Sequence, residues 1–95
     1  MYRIVRARRF ERSFRKLKKS GLLKAGLKKE IDAAIILLAG SKVLPASYTD
    51  HQLTGEFEGY RECHIRGDLL LVYEQHEDKQ VILLTDIGSH SHIFG

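Results

Sequence analysis

Cysteine and proline are almost missing from this chain, and histidine is missing from its first half. The one cysteine, Cys63, has no partner for an internal disulfide, which fits a reducing cytoplasm. No apolar run approaches the roughly 20 residues that span a bilayer. The N-terminus is strand-like and Arg-rich, without the apolar segment of a secretory signal. No Cys-x-x-Cys or His-Glu-x-x-His spacing occurs, which argues against a metal centre built on those ligand motifs. Gly55, Gly59 and Gly67 stand apart and form no phosphate-cradling loop. Internal repeats, low-complexity segments and domain boundaries are absent as well. Acids are scarce at the front: residues 1–42 hold thirteen Lys or Arg against Glu11, Glu30 and Asp32. Residues 43–95 reverse the balance, with three bases and nine acids, and the whole chain nets +4.

What is present is enough for one compact domain over residues 1–95. Hydrophobic residues make up 43%, too many for intrinsic disorder. A front half this basic suggests a nucleic acid, a membrane surface or an acidic protein as partner. Lysines that merely solubilise two amphipathic helices would explain their number better than their lopsided placement.

The apolar periods predict the elements. Tyr2 to Ala7 reads as a short strand. From Arg9 the period lengthens: Phe10, Phe14 and Leu17 mark one face of a helix that stops at Ser20-Gly21. A second helix runs from about Leu23 to Ala39, with Leu27, Ile31, Ala34, Ile35 and Leu38 as its stripe and Ile36 and Leu37 widening it. Lys24, Lys28 and Lys29 lie near its start, where the helix dipole disfavours cations. The two helices should form an antiparallel hairpin. Residues 41–56, with Ser41 and the lone Pro45, show no period and read as a long loop, a type often functional. Phe57 to Ile65 is a strand with Tyr60, Glu62 and His64 on one face and Arg61, Cys63 and Ile65 on the other. Arg66-Gly67 turns the chain. Asp68 to Glu74 and Val81 to Ile87 complete an antiparallel meander. Gly88 to Gly95 is a short tail. The sum is an α+β domain in which a helical hairpin covers one face of a curved, mainly antiparallel sheet.

Histidine exchanges protons near neutral pH without special help. Cleaving RNA through its 2′-hydroxyl needs a base, an acid for the leaving 5′-oxygen and positive charge for the phosphorane. His51, His64 and His90, with Asp68 to orient one of them, are the right set of types. The turn alone brings Asp68 near His64, and the fold must bring the others. His76, beside acidic turn residues, is expected in solvent. Cys63 cannot pair with His64 as a nucleophile, because adjacent strand residues face opposite sides. A metal site built from His90, His92, Cys63 and His64 lacks ligand spacing. Phe94 fits no core period and could stack on a base or fold back as a plug.

Four segments carry a resemblance: Tyr48-Thr-Asp-His-Gln-Leu, Gly55-Glu-Phe-Glu-Gly-Tyr-Arg-Glu-Cys-His-Ile, Asp68-Leu-Leu-Leu-Val-Tyr, and Gly88-Ser-His-Ser-His-Ile-Phe-Gly95. Together with the order strand, helix, helix, three strands, they resemble the YafQ branch of the RelE-like bacterial toxins over the whole chain. The resemblance implies a RelE-like fold and a ribosome-dependent endoribonuclease that cuts messenger RNA in the ribosomal A site, with no metal and no cofactor. It implies a cognate antitoxin, encoded nearby, in a toxin–antitoxin hetero-oligomer, with the 70S ribosome and mRNA as further partners and no membrane. The family's catalytic positions fall on His51, His64, Asp68 and His90, and its tail aromatic on Phe94, leaving His92 as an extra histidine. Arg61, Lys16, Lys28 and Lys29 are expected to contact RNA or the ribosome. Leu69 stands where the family member compared carries Trp, which removes a stacking surface. The competing readings are a related toxin that poisons DNA gyrase and a non-catalytic binding module.

Overall fold

The computed structural model describes residues 1–21, 23–40 and 43–95. The expected loop residue Ser41 lies outside the described residues. The chain forms β1 (Arg3–Arg6), α1 (Arg8–Lys19), α2 (Ala25–Ala39), β2 (His51–Gln52), β3 (Arg61–Arg66), β4 (Leu69–His76), β5 (Val81–Gly88) and α3 (His90–Phe94). The strands make one mixed sheet in the order β1-β5-β4-β3-β2. β1 pairs with β5 in parallel, and the other neighbours are antiparallel. This is the α+β arrangement that the periods predict, with two helices packed on a mainly antiparallel sheet.

Alternation divides the sheet into two faces. Cys63, Leu71, Tyr73, Ile82, Leu84 and Ile87 join Phe10, Ile31 and Leu38 in the main core, on the side covered by α1 and α2. Leu70 and Val72 point to the other side and pack against Ile93 of α3, with Leu53 and Tyr60 nearby. Glu62 pairs with Val72 and His64 with Leu70 across β3 and β4, so both share this second face.

A bulge in β5 decides where one charge goes. Val72 pairs with Asp86 and Tyr73 with Leu84, which leaves Thr85 without an opposite number. The extra residue resets the alternation. Leu84 stays in the main core while Asp86 joins the face of Val72. β1 runs out opposite Leu84. Beyond that point α1 packs against β5, and Ser13 of α1 meets Asp86.

Four expectations need correction, the first being the strand expected from Phe57, since Phe57 closes a 3-10 turn and β3 begins only at Arg61. Residues 43–56 are not a structureless loop: 3-10 turns form at Ala46–Tyr48 and Gly55–Phe57, and β2 lies between them. The two residues of β2 are too few to show a period. The tail is a helical turn, capped by Ser89, whose Oγ accepts from the His92 amide at 3.1 Å. Ile36 does not widen the buried stripe of α2, since it is 68% exposed, whereas Ile31 is fully buried.

These placements set the cost of trimming α2. Ile31→Ala should destabilise the chain by about 2–5 kcal/mol, through lost burial and a cavity. Ile36→Ala should stay within about 0.5 kcal/mol of the parent. Urea denaturation midpoints of the two variants check this, and equal losses would contradict the orientation of α2.

Candidate active site

β2 is positioned from below by its neighbour Asp50. The Asp50 carboxylate accepts from Arg61 Nη2 at 2.9 Å and from the Tyr73 hydroxyl. Tyr73 is buried, and burial followed by its bond to Asp50 pushes its pKa up. Burial would lower the Arg61 pKa, but its bonds to Asp50 and Tyr73 outweigh this and raise it. The group pins the start of β2, where Thr49 takes a left-handed φ of 48°. His51 then pairs across the strands with Glu62.

The geometry of His51 assigns its hydrogens. Nδ1 lies 2.7 Å from the Thr49 carbonyl, which can only accept, so Nδ1 carries a hydrogen. Nε2 lies 3.0 Å from Glu62 Oε2. The imidazole and the buried carboxylate can therefore share one more proton between them. The other Glu62 oxygen, Oε1, is buried with no hydrogen-bond partner among the described residues. His64 Nε2 stands 4.0 Å from Glu62 Oε2, and the His64 ring faces the His90 ring edge-on at 5.8 Å between centroids.

His90 is set by the turn between β3 and β4. Gly67 supplies a φ of +50°, which glycine adopts without strain, and the turn presents Asp68. Asp68 Oδ1 accepts from the His90 amide at 3.1 Å and pairs with His90 Nδ1. The side-chain bond and then the backbone bond from His90 lower the Asp68 pKa below its ordinary 3.8. Phe94, one turn on, lies 6.2 Å from the His90 ring and meets Phe57 edge-on at 4.9 Å. His51, Glu62, His64, His90 and Asp68 thus form a continuous row across the second face, with Phe94 beside His90.

Other expected site residues lie elsewhere. Arg61 is on the opposite side of β3 from Glu62 and His64 and is engaged by Asp50 and Tyr73. It lines a cavity of about 640 Å³ that contains none of the histidines. Lys16 lines a cleft of about 370 Å³ beside Asp68 and His92. Lys28 pairs with Asp32 at 2.9 Å along α2, and Lys29 is exposed. Cys63 is buried on the helix-covered face, where burial pushes its pKa up to about 12, so it is no nucleophile. His76 is partly exposed and pairs with Glu74 at 3.4 Å.

A sequence profile of the family described as bacterial toxin of type II toxin–antitoxin system, YafQ, matches residues 2–95. The chain belongs to this family. The Escherichia coli K12 protein named mRNA interferase toxin YafQ is 33% identical over 60 residues, 63% of each chain. A Haemophilus influenzae relative is 54% identical over 41 residues, 43% of this chain and 40% of its own. The chain therefore spans less than two thirds of the length of the curated relatives it matches. A metal-bound toxin from Helicobacter pylori shares the YafQ-type fold with a TM-score of 0.86, at 33% identity over 99% of this chain and 100% of its own. YafQ in the Escherichia coli DinJ–YafQ toxin–antitoxin complex gives 0.83, at 25% identity over 99% and 98%.

Glu62 is the member of this row that sequence reasoning passed over. Its signal was available: alternation along β3 places it on the face of His64. Its partner could not be found that way, because β2 has no legible period.

Two measurements follow from these contacts. Tyr73→Phe should cost roughly 1.5–3 kcal/mol, the range for a hydrogen bond to a charged group, read from urea denaturation. Asp68 should titrate below 3.8 in the folded protein, read from its carboxyl carbon by NMR. Because the folded value is depressed, the Asp68–His90 tie is fully present above pH 3.8 and is lost as pH falls through the lowered value. An Asp68 midpoint at or above 3.8 would contradict the tie.

Proposed function

We propose that this chain is the toxin of a type II toxin–antitoxin pair and acts as a ribosome-dependent endoribonuclease on messenger RNA in the A site, by acid–base catalysis. The observation that carries this reading is the row of proton-handling groups on one face, His51–Glu62, His64 and His90–Asp68. The name of the Escherichia coli relative, mRNA interferase toxin, supports the same reaction class.

In this reading the 2′-hydroxyl attacks phosphorus, the O2′–P bond forms and the P–O5′ bond breaks. The proton leaves O2′ for the base, and a second proton arrives at O5′ from the acid. Asp68 holds His90 Nδ1–H, which leaves Nε2 as the atom that gives a proton to O5′. His51 with Glu62 takes the proton from O2′, sharing this duty with His64, which also faces the developing phosphorane charge. Phe94 offers a face for a base. Lys16, Lys28 and Lys29, with the other cations of α1 and α2, hold ribosomal RNA. Arg61 contributes indirectly, by fixing Asp50 below His51. The antitoxin is the second partner, as DinJ is for the Escherichia coli protein. Both partners place the chain in the cytoplasm.

The Helicobacter pylori toxin is described as metal-bound. Here Glu62, His64 and His90 each offer a donor atom, all within 4.8 Å of one another. This nitrogen and carboxylate set fits a divalent transition metal. A bound ion would occupy the donor atoms that the proton transfers need, so it would inhibit. Toxin stripped by chelator and dialysed should cut at the untreated rate, and added Cu²⁺ should slow it.

Mapping 3′ ends on a message with and without ribosomes tests the reaction. Cleavage should require ribosomes, fall on the order of 100-fold or more in His90→Ala, and follow a bell-shaped pH profile. A rate flat from about pH 5 to 9 on intact ribosomes, or full growth arrest by both His90→Ala and His64→Ala, would refute it. Charge reversal at Lys28 and Lys29 should weaken ribosome cosedimentation and flatten its salt dependence. Unchanged association across salt concentrations would remove those lysines from the interface.

A further inference from the structure

His92 stands two residues beyond His90 on α3 and takes part in a second polar cluster. Its Nε2 lies 3.0 Å from Ser13 Oγ and 3.4 Å from Asp86 Oδ1. Ser13 Oγ donates to Asp86 Oδ1 at 2.6 Å, so its lone pairs are open to a hydrogen on His92 Nε2. Asp86 is 2% exposed. Its Oδ1 also accepts from the Ile87 amide at 2.8 Å, and Arg9 Nε is 3.0 Å from Oδ2. The His92 ring rests over Gly88: a Cβ there would stand 2.9 Å from ring carbon Cγ, closer than real Cβ contacts allow.

A helix of five residues has no stability of its own. Its place is set by what ties it down. Ser89 caps it and Asp68 holds its first amide. Ile93 enters the Leu70–Val72 cluster. His92 links it to α1 through Ser13 and to β5 through Asp86.

We propose that His92 is a positioning residue: seated over Gly88 and bonded to Ser13 and Asp86, it fixes α3 and so sets the His90 imidazole against His64. The proposal rests on His90 serving in the cleavage described above, and it gives His92 no contact with RNA. A displacement of about 1 Å at a reacting group can cost on the order of 100-fold in rate. The link therefore matters to turnover more than to substrate binding.

The test uses the full chain with His92→Ala, His92→Gln, Ser13→Ala, the double variant His92→Ala/Ser13→Ala, and Gly88→Ala. His92→Ala and Ser13→Ala should each lower kcat on programmed ribosomes by about 10–100-fold at unchanged KM. The double variant should be no worse than either single one. His92→Gln keeps a donor at similar reach and should restore most of the rate. Gly88→Ala keeps every hydrogen-bonding group but fills the seat of the ring, and should behave like His92→Ala. Thermal midpoints identify any variant that merely fails to fold. An NMR arm reads the docking of α3 without any cleavage: in His92→Ala the contacts between the His64 and His90 rings should weaken, and the Ile93 and Gly95 amides should exchange faster. Parent-like ring contacts and exchange in His92→Ala, or a Gln variant as slow as Ala, would overturn the positioning role. A parent chain that leaves ribosome-bound message intact would instead overturn the cleavage reading, while the NMR arm still decides what His92 does.

Discussion

A carboxylate withdrawn from water costs several kcal/mol unless other partners replace the solvent. Asp86 is so withdrawn, and its partners come from three elements. Arg9 and Ser13 approach from α1, the strand supplies its own Ile87 amide, and His92 approaches from α3. Oδ1 collects the hydrogen bonds, while Oδ2 has the Arg9 ion pair but no hydrogen bond among the described residues, and pairing this one charge ties a helix of the main core to the short helix on the opposite face. The bulge at Thr85 makes that possible. In a regular strand Asp86 would share the face of Leu84, among the apolar side chains beneath α1 and α2.

The two acid–imidazole pairs at the candidate site are held by different physics. Glu62 is buried, and one of its oxygens has no partner among the described residues, so its contact with His51 is the main answer to its burial. Asp68 is largely exposed, and solvent screens its attraction to His90. There geometry does more than energy. A single oxygen receives both the amide and the ring nitrogen of His90, which fixes the ring orientation and the tautomer together. His64 lies between the pairs, near Glu62 on one side and His90 on the other. Glu62 is thus the one buried group of the row, while His51, His90 and Asp68 are exposed to solvent.

Where a residue repeats with its element's period, its place can be read in the sequence. Phe10, Ile31 and Leu38 follow helical spacing and are in the core. Alternation along β3 puts Glu62 and His64 on one side and Cys63 on the other, which is enough to set aside a cysteine–histidine pair. Short or irregular elements leave no such trace. β2 has two residues, and its position comes from Asp50 meeting Arg61 and Tyr73, contacts formed across 11 and 23 residues of chain. α3 is a single capped turn whose one buried apolar residue, Ile93, has no periodic neighbour. The bulge in β5 inverts the alternation at the point where Asp86 sits, so a reading by period two assigns that carboxylate to the wrong side. Ile36 fails for a related reason: an apolar run in a helix marks a wide stripe, and only packing decides which edge of it is covered.

α1 and α2, which carry most of the basic front half, cover the main core, the row of histidines lies on the other face of the sheet, and α1 connects the two. α1 turns Ser13 inward to Asp86, carries Arg9 beside the same carboxylate, and lines the cleft next to Asp68 and His92 with Lys16. A phosphate chain bound along the cations of α1 would therefore press on the helix that, through Asp86 and His92, also holds α3. Displacing α1 by a fraction of an ångström would strain the Ser13–Asp86–His92 contacts before it strained the main core, because those contacts are directional and the core is not. In the proposed reading, grip and chemistry are coupled at this point. The coupling needs no long route through the protein, only one buried carboxylate with partners on both sides.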